Sequence, residues 1–135
     1  MIRKYEKKDW RYMEVQIEQA HELRPELEKM DNVYSFWDGD VLVGIFWWLK
    51  AYEGRFEIYS YISAAAGRHL LAFVREMRQF IVDKAKEEKA VRIEMSVMAG
   101  FEPGDRLAQL LGFEYEGTLR KVFKGMDYKL FARIF

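Results

Sequence analysis

The 135-residue chain contains no cysteine. This excludes disulfide frameworks, thiolate metal sites and a cysteine nucleophile, and leaves the redox compartment open. Histidine is almost as scarce: only His21 and His69 are present, so no metal site is expected. Net charge is also missing. Lys plus Arg and Asp plus Glu both number 22, so no overall field steers the chain toward nucleic acid or an anionic membrane. Nowhere do eighteen apolar residues run together, and the opening Met1-Ile2-Arg3-Lys4-Tyr5-Glu6 has no apolar core of the signal-peptide kind. The expectation is a soluble, unexported, cytoplasmic protein with no membrane partner.

Aromatic residues are plentiful at 16%, which suits a compact core. The length fits one domain spanning residues 1–135 without staples. That domain is organised around residues 55–89. Phe56, Ile58, Ser60 and Ile62 alternate with Arg55, Glu57, Tyr59 and Tyr61, the period of a pleated strand rich in β-branched and aromatic residues. Ser63-Ala64-Ala65-Ala66-Gly67 follows, almost without side chains. Then Leu70, Leu71, Phe73, Val74, Met77, Phe80, Ile81 and Ala85 recur at helical spacing, with Arg75, Glu76, Arg78, Gln79 and Lys86 on the other side. A small-residue turn at the mouth of a helix lets backbone N–H groups face an anion, a phosphate or pyrophosphate above all. The same residues also serve as a tight strand-to-helix connection.

In chain order, residues 2–5 read as a short strand. Asp9 then stands as the N-cap of a first helix carrying Trp10, Met13, Ile17 and Ala20 on its apolar side, with His21 a cation near its C-terminus. Pro25 opens a second short helix that turns Leu27 and Met30 inward. Residues 33–37 and 41–49 form a hairpin around Asp38-Gly39-Asp40, and Gly44 inside the second strand marks a bulge or a close backbone approach. Glu53-Gly54 turns the chain into the central strand. After the long helix comes a strand at 91–97, which the crossover makes parallel to the central one. Next is a short helix bearing Leu107, Leu110 and Leu111 and ended by Gly112, with Phe113 packing back. A closing hairpin turns at Lys124-Gly125, where Arg120, Lys121 and Lys124 make either a small basic patch or a solvated, protected edge.

This β-α-(α)-β-β-β-α-β-α-β-β order is similar to that of the GNAT-type N-acetyltransferases over nearly the whole chain. The resemblance rests on Val41-Leu42-Val43-Gly44-Ile45, on the small turn leading into Arg68-His69-Leu70-Leu71, and on Leu107-Ala108-Gln109-Leu110-Leu111-Gly112-Phe113. The closing hairpin, Glu116-Gly117-Thr118-Leu119-Arg120 with Gly125-Met126-Asp127-Tyr128, resembles divergent members that include those of bacteriophages. The resemblance implies a single GNAT-like α/β domain: a mixed, mostly antiparallel sheet with a parallel central pair and helices on both faces. It implies acetyl-CoA as cofactor and direct acyl transfer to an amine acceptor. The family's pyrophosphate loop reads Gln/Arg-x-x-Gly-x-Gly/Ala, which sets Ala65 and Gly67 on the two small positions and Ile62 on the Gln/Arg position.

On that resemblance Ile62, Ser63, Ala64, Ala65, Ala66, Gly67, Arg68 and His69 are the cofactor-binding residues, with Arg68 able to supply charge. Backbone donors near Tyr61 and Ile62 would meet a developing oxyanion. Glu57 resembles the family's general base, with Asp38 and Asp40 as outsiders; the residue by itself reads more readily as a solvated strand carboxylate paired with a Lys or Arg. His69 caps a phosphate or simply occupies the first helical turn. Trp47-Trp48 sends one indole to each sheet face, one for the core and one available to an acceptor cleft. The family's tyrosine acid falls on Ala108 and its asparagine on Phe101. That departure keeps open a different reading: a GNAT-fold protein without catalysis, acting as a structural or interaction module such as a phage virion component or an inhibitor of a host protein. A homodimer through the closing hairpin is expected in either case.

Overall fold

The structure, a computed structural model, describes residues 1–16, 19 and 26–135. Seven strands form one mixed sheet: β1 Ile2–Lys4, β2 Val33–Asp38, β3 Val41–Tyr52, β4 Arg55–Ile62, β5 Arg92–Met98, β6 Glu114–Phe123 and β7 Met126–Ile134. Their order across the sheet is β1-β2-β3-β4-β5-β7-β6. Two α-helices complete the set, α1 Leu70–Glu88 and α2 Glu102–Leu110. The crossover through α1 makes β4 and β5 parallel, in register from Arg55 with Arg92 to Glu57 with Glu94. The other strand pairs with a described register are antiparallel. The chain divides into two compact units, Met1–Trp48 with Tyr59–Glu76, and Leu49–Ile58 with Met77–Phe135.

In the first unit the pleat sends Val33, Leu42, Ile45, Trp47 and Tyr61 into one cluster with Leu27, against which Trp10, Met13 and Met30 pack. On the other face Phe73 of α1 meets Phe36 and Phe46 edge-on, at 5.4 and 6.2 Å between ring centroids. Phe36 pairs with Gly44 but Trp37 with Leu42, so Val43 is an extra residue in β3. The glycine therefore carries both features expected of it. It adjoins a bulge, and a Cβ on it would stand 3.0 Å from Ile62 Cδ1 and 3.2 Å from the Tyr61 carbonyl oxygen.

The first helix does not form as expected. Lys7–Tyr12 is a 3-10 segment capped from Glu6, and Met13 is already extended. Asp9 is not the N-cap but the third residue. Its buried carboxylate accepts from Glu6 N–H at 2.8 Å, from Arg3 Nη2 at 2.8 Å and from Ser35 Oγ at 3.3 Å. Tying Asp9 to β1 and β2 in this way favours a tight turn at this point. A second short 3-10 segment, Leu27–Lys29, buries Leu27. Among the described residues, the cover on this face of the first unit is made by short turns. Ile17, Ala20, His21 and Pro25 lie outside the described residues.

In the second unit α2 packs on β5 so closely that a Cβ on Gly104 would lie 2.5 Å from Val97 Cγ1. The helix ends in a Schellman arrangement: Phe113 N–H donates to Ala108 O and Gly112 N–H to Gln109 O, both at 3.0 Å, with Gly112 at φ +88°. The apolar stripe of α1 holds except at Leu71, which is 69% exposed because it falls on the Arg75 and Arg78 side. Both indoles of Trp47-Trp48 are buried. Tyr59 and Tyr61 lie against Trp47 at 5.6 Å each, so neither indole opens onto a cleft.

Candidate functional site

The turn from β4 into α1 has a definite hydrogen-bond plan. Ser63 N–H donates to Val43 O at 2.9 Å, the carbonyl of the extra residue in β3. Ala64 N–H reaches Glu14 O at 2.7 Å, Ala65 N–H the Ser63 Oγ at 3.2 Å, and Ala66 N–H the Ser63 O at 3.0 Å. A 3-10 turn, Gly67–His69, leads into α1, with His69 N–H on Ala66 O and Leu70 N–H on Gly67 O. The bonds that close the turn use the amides of Ser63 to Ala66, His69 and Leu70. Those of Gly67 and Arg68, between them, take no part.

Burial divides the same residues. Ser63 and Ala66 are buried and hold the turn's shape, whereas Ala64, Ala65, Gly67 and Arg68 are exposed. Gly67 takes φ +46°, a left-handed conformation that favours glycine, and a Cβ there would have no heavy atom within 4 Å. The sequence expected the stretch 63–69 to act as a whole; its backbone donors instead reduce to two adjacent amides at the start of a 19-residue helix. Arg68 is the cation beside them. His69 is engaged elsewhere, its Nδ1 2.7 Å from Asp38 Oδ2, so that it ties the start of α1 to the β2–β3 turn.

Along β4, alternate peptide groups address opposite edges. The Ser63 N–H meets β3, and by alternation the Tyr61 peptide faces the same way. Ser60 and Ile62 face the other edge, where Gln19 Nε2 donates to Ser60 O at 2.8 Å and Gln16 Nε2 to Ile62 O at 2.9 Å. Of the two residues singled out for backbone donation, Ile62 is therefore the one whose peptide points away from β3. The Tyr61 ring is buried among Trp10 and Trp47. Sequence reasoning missed Gln16 and Gln19. Two glutamines three apart read as a polar helix surface, and nothing local announces a partner some forty residues on.

Glu57 lies in the second unit, opposite Glu94. Around Glu94 runs a chain of ions: Arg55 Nε and Nη2 grip its two oxygens at 3.0 and 2.9 Å, Arg92 Nε donates at 2.7 Å, and Arg92 also holds Glu116. The Arg55 hydrogen bond, with Arg92 behind it, holds the Glu94 carboxyl below the usual carboxylate range against the opposing effect of burial. Arg55 is raised chiefly by Glu94, and Glu57 adds a smaller push. Ala108 is fully buried within α2. The Tyr115 hydroxyl pairs with Thr118 Oγ1 at 2.6 Å, and Tyr128 is buried. Among the described residues no three His, Cys, Asp or Glu side chains gather as a metal site requires, and no helix is long and apolar enough to cross a membrane.

The parallel β4–β5 pair, the bulged β3 and the turn into α1 give the chain the fold of the GNAT-family acetyltransferases. Among solved structures, a GNAT-family acetyltransferase from Bacillus anthracis superposes with a TM-score of 0.80 at 20% identity, covering 98% of this chain and 93% of that one. A spermidine N-acetyltransferase chimera of Vibrio cholerae SpeG and hSSAT gives 0.70 at 13%, covering 99% and 96%. The ribosomal L7/L12 α-N-protein acetyltransferase RimL, solved with coenzyme A, gives 0.64 at 14%; 76% of this chain spans 60% of that one. At these identities the likeness is one of fold. No protein-family model matches the chain, and no curated protein does. The likenesses give no support to the phage resemblance of the closing hairpin.

Proposed function

We propose that the protein is an acyl-CoA-dependent N-acyltransferase that uses acetyl-CoA and an amine acceptor. One observation carries the reading: two adjacent amides, Gly67 and Arg68, lie outside the turn's own bonds at the mouth of α1, with only small exposed side chains before them. These residues fit a pyrophosphate, since the amides and helix dipole favour an anion and the Arg68 side chain adds charge. Ala64 and Ala65 allow close approach, and Ser63 and Ala66 keep the turn rigid. Ile62 contributes a backbone group on the edge of β4 rather than the polar side chain usual at its position. Tyr61 acts through packing against Trp10 and Trp47, and His69 by fixing α1 to Asp38.

Acetyl-CoA, when bound, supplies a thioester that an amine can attack. Glu57 is the proposed base that takes the amine's proton, and residues 1–135 are read as one cytoplasmic acyltransferase domain. A homodimer through β6 and β7 belongs to the same reading, supported by Leu119 and Val122 exposed on the edge strand β6. The rival, a GNAT-fold interaction module without catalysis, is favoured by one observation. Ala108, at the position of the family's tyrosine acid, is a buried core residue without a proton to give.

A thiol-release assay with acetyl-CoA and a panel of primary amines tests the reading. The enzyme releases CoA thiol in proportion to acetylated amine, and Glu57→Gln lowers kcat by about a hundredfold or more, as loss of a general base does. Coenzyme A binding with no thiol release from any amine would favour the interaction module. Turnover unchanged by Glu57→Gln at every pH would remove only the base.

A further inference from the structure

The C-terminal end of α2 gathers two arginines from different elements. Arg78 of α1 donates Nη1–H to Leu110 O at 3.0 Å, and Arg133 of β7 donates Nη1–H to Leu111 O at 3.1 Å, so the two guanidiniums meet consecutive carbonyls. Arg133 is half-buried and held in place. Its guanidinium lies 3.4–3.5 Å from where a Cβ on Gly112 would stand, and the Phe135 ring packs on it at 5.0 Å. Burial lowers the pKa of Arg133, and the charge of Arg78 lowers it further. Among the described residues neither arginine has a carboxylate partner; their hydrogen bonds go to the main chain. The protein also contains the opposite case. Arg55 and Arg92 close together on the carboxylate of Glu94, and they are raised, Arg55 chiefly by Glu94 and Arg92 by Glu116 and Glu94.

Capping the helix accounts for only part of this arrangement. It uses one N–H of each guanidinium, and it neutralises the charge of about −0.5 that a helix carries at its C-terminal end. Two full cations overshoot that charge, and the N–H groups left on each fork have no partner among the described residues. We propose that Arg78 and Arg133 hold a phosphate group at the C-terminal end of α2. The surplus of about one and a half positive charges matches a phosphate monoester, about −1.5 to −2 at neutral pH, more closely than it matches a single carboxylate. Each planar fork can also offer paired N–H groups to two phosphate oxygens. Arg133, fixed by Gly112 and Phe135, is the preorganised half of the site, and the exposed Arg78 closes on the phosphate from outside. The phosphate is either the free ion or one carried on a phosphorylated polypeptide. This site is independent of the acyl-transfer reading.

The test is a titration of the 15N-labelled full-length protein with inorganic phosphate near neutral pH, at constant ionic strength made up with sodium chloride, following the arginine Nε–H signals. The expected result is a saturable shift of the Arg78 and Arg133 signals and of the amides of Leu110 to Gly112. Those of Arg55 and Arg92, already closed on carboxylates, should stay in place. Arg78→Gln should weaken the response at Arg133 by about tenfold or more, and Arg78→Lys should recover part of it, since the charge returns without the fork. The Gly67 amide reports the candidate cofactor turn separately and should respond alike in wild type and Arg78→Gln. A second titration with N-acetyl-O-phosphoserine amide distinguishes the sources: tighter binding than inorganic phosphate identifies a phosphorylated polypeptide, equal or weaker binding the free ion. An Arg133 signal that does not move saturably in the wild-type protein overturns the proposal. So does an equal shift at Arg55 and Arg92, the mark of general screening, or equal phosphate affinity in Arg78→Gln. If that variant fails to fold, the wild-type titration decides alone.

Discussion

Gly44→Ala perturbs the link between the bulged strand β3 and the end of β4. The backbone at Gly44 needs no left-handed φ, so the cost of a methyl group there is steric. The new Cβ would meet Ile62 Cδ1 at 3.0 Å, the Tyr61 carbonyl oxygen at 3.2 Å and Phe73 Cε2 at 3.7 Å. Ile62 can shift its terminal methyl. The Tyr61 oxygen is main chain and can retreat only by moving β4, and the Phe73 ring closes the remaining side. Overpacking of this kind costs about 1–3 kcal/mol. At roughly 3–4 °C per kcal/mol for a chain of this length, the melting temperature should fall by about 3–12 °C. Because Ser63 N–H is bonded to Val43 O next door, the displacement should also disturb the turn, and amide signals of residues 61–67 should move more than those of β6. Thermal melting followed by circular dichroism, with amide spectra, measures both. A variant that melts within about a degree of wild type, with unshifted signals at residues 61–67, would refute the claim that glycine is required for this approach.

Asp9→Asn should destabilise by about 2–4 kcal/mol in urea unfolding, because a neutral amide removes the shorter of the two ion pairs of Arg3, leaving only Glu6 at 3.8 Å, and sets an N–H₂ where an acceptor is needed. Glu94→Gln should lower stability most near neutral pH. The Glu94 carboxyl is held below its ordinary pKa of about 4.3, so its stabilisation is present above that value and is lost as pH falls through the depressed one. The difference between wild type and variant in denaturant melts should therefore shrink in acid; a constant difference from pH 7 down to about 2 would contradict the ion-pair account. Gly112→Ala should cost about 1–2 kcal/mol from the left-handed φ of +88°, since the nearest Arg133 atoms, at 3.4–3.5 Å, are ordinary contacts.

The parts of the fold that were legible in the sequence are those where local signals agree. Asp-Gly between two apolar runs set the β2–β3 hairpin, the 3.6-residue stripe set α1, and Gly112-Phe113 set the end of α2 with its Schellman bonds. Strand, helix, strand was enough to require that β4 and β5 run parallel. Gly44 was readable because a glycine within a strand has few other reasons to be there. The region 9–16 was not. Asp9 looked like an N-cap, but its carboxylate is satisfied by Arg3 and Ser35, partners from other strands, and that tertiary preference overrode helical propensity.

The same division runs through the candidate site. The turn's small residues, its place before α1 and the exposed Arg68 were visible in sequence. The commitment of four of its amides was not: two, to Val43 and Glu14, depend on where another segment lies, and two, to Ser63, on the local fold of the turn itself. Trp48 illustrates the limit of strand alternation, which assigns a face but cannot tell whether that face is covered. Gln16 and Gln19 were invisible for the same reason.

The central claim, that the turn cradles a pyrophosphate, is tested most directly by melting the protein with and without acetyl-CoA, in the wild type and in Ala65→Asp. A ligand at a hundredfold excess over its dissociation constant stabilises by about 2.7 kcal/mol, which here is a rise of roughly 8–11 °C. Ala65 is exposed, so the Ala65→Asp substitution should leave the ligand-free melting temperature unchanged or slightly higher, since a carboxylate near the start of α1 suits the helix dipole. It should abolish the rise by meeting the phosphates with like charge. A wild-type melting temperature that millimolar acetyl-CoA does not move, or an equal rise in both proteins, would contradict the account.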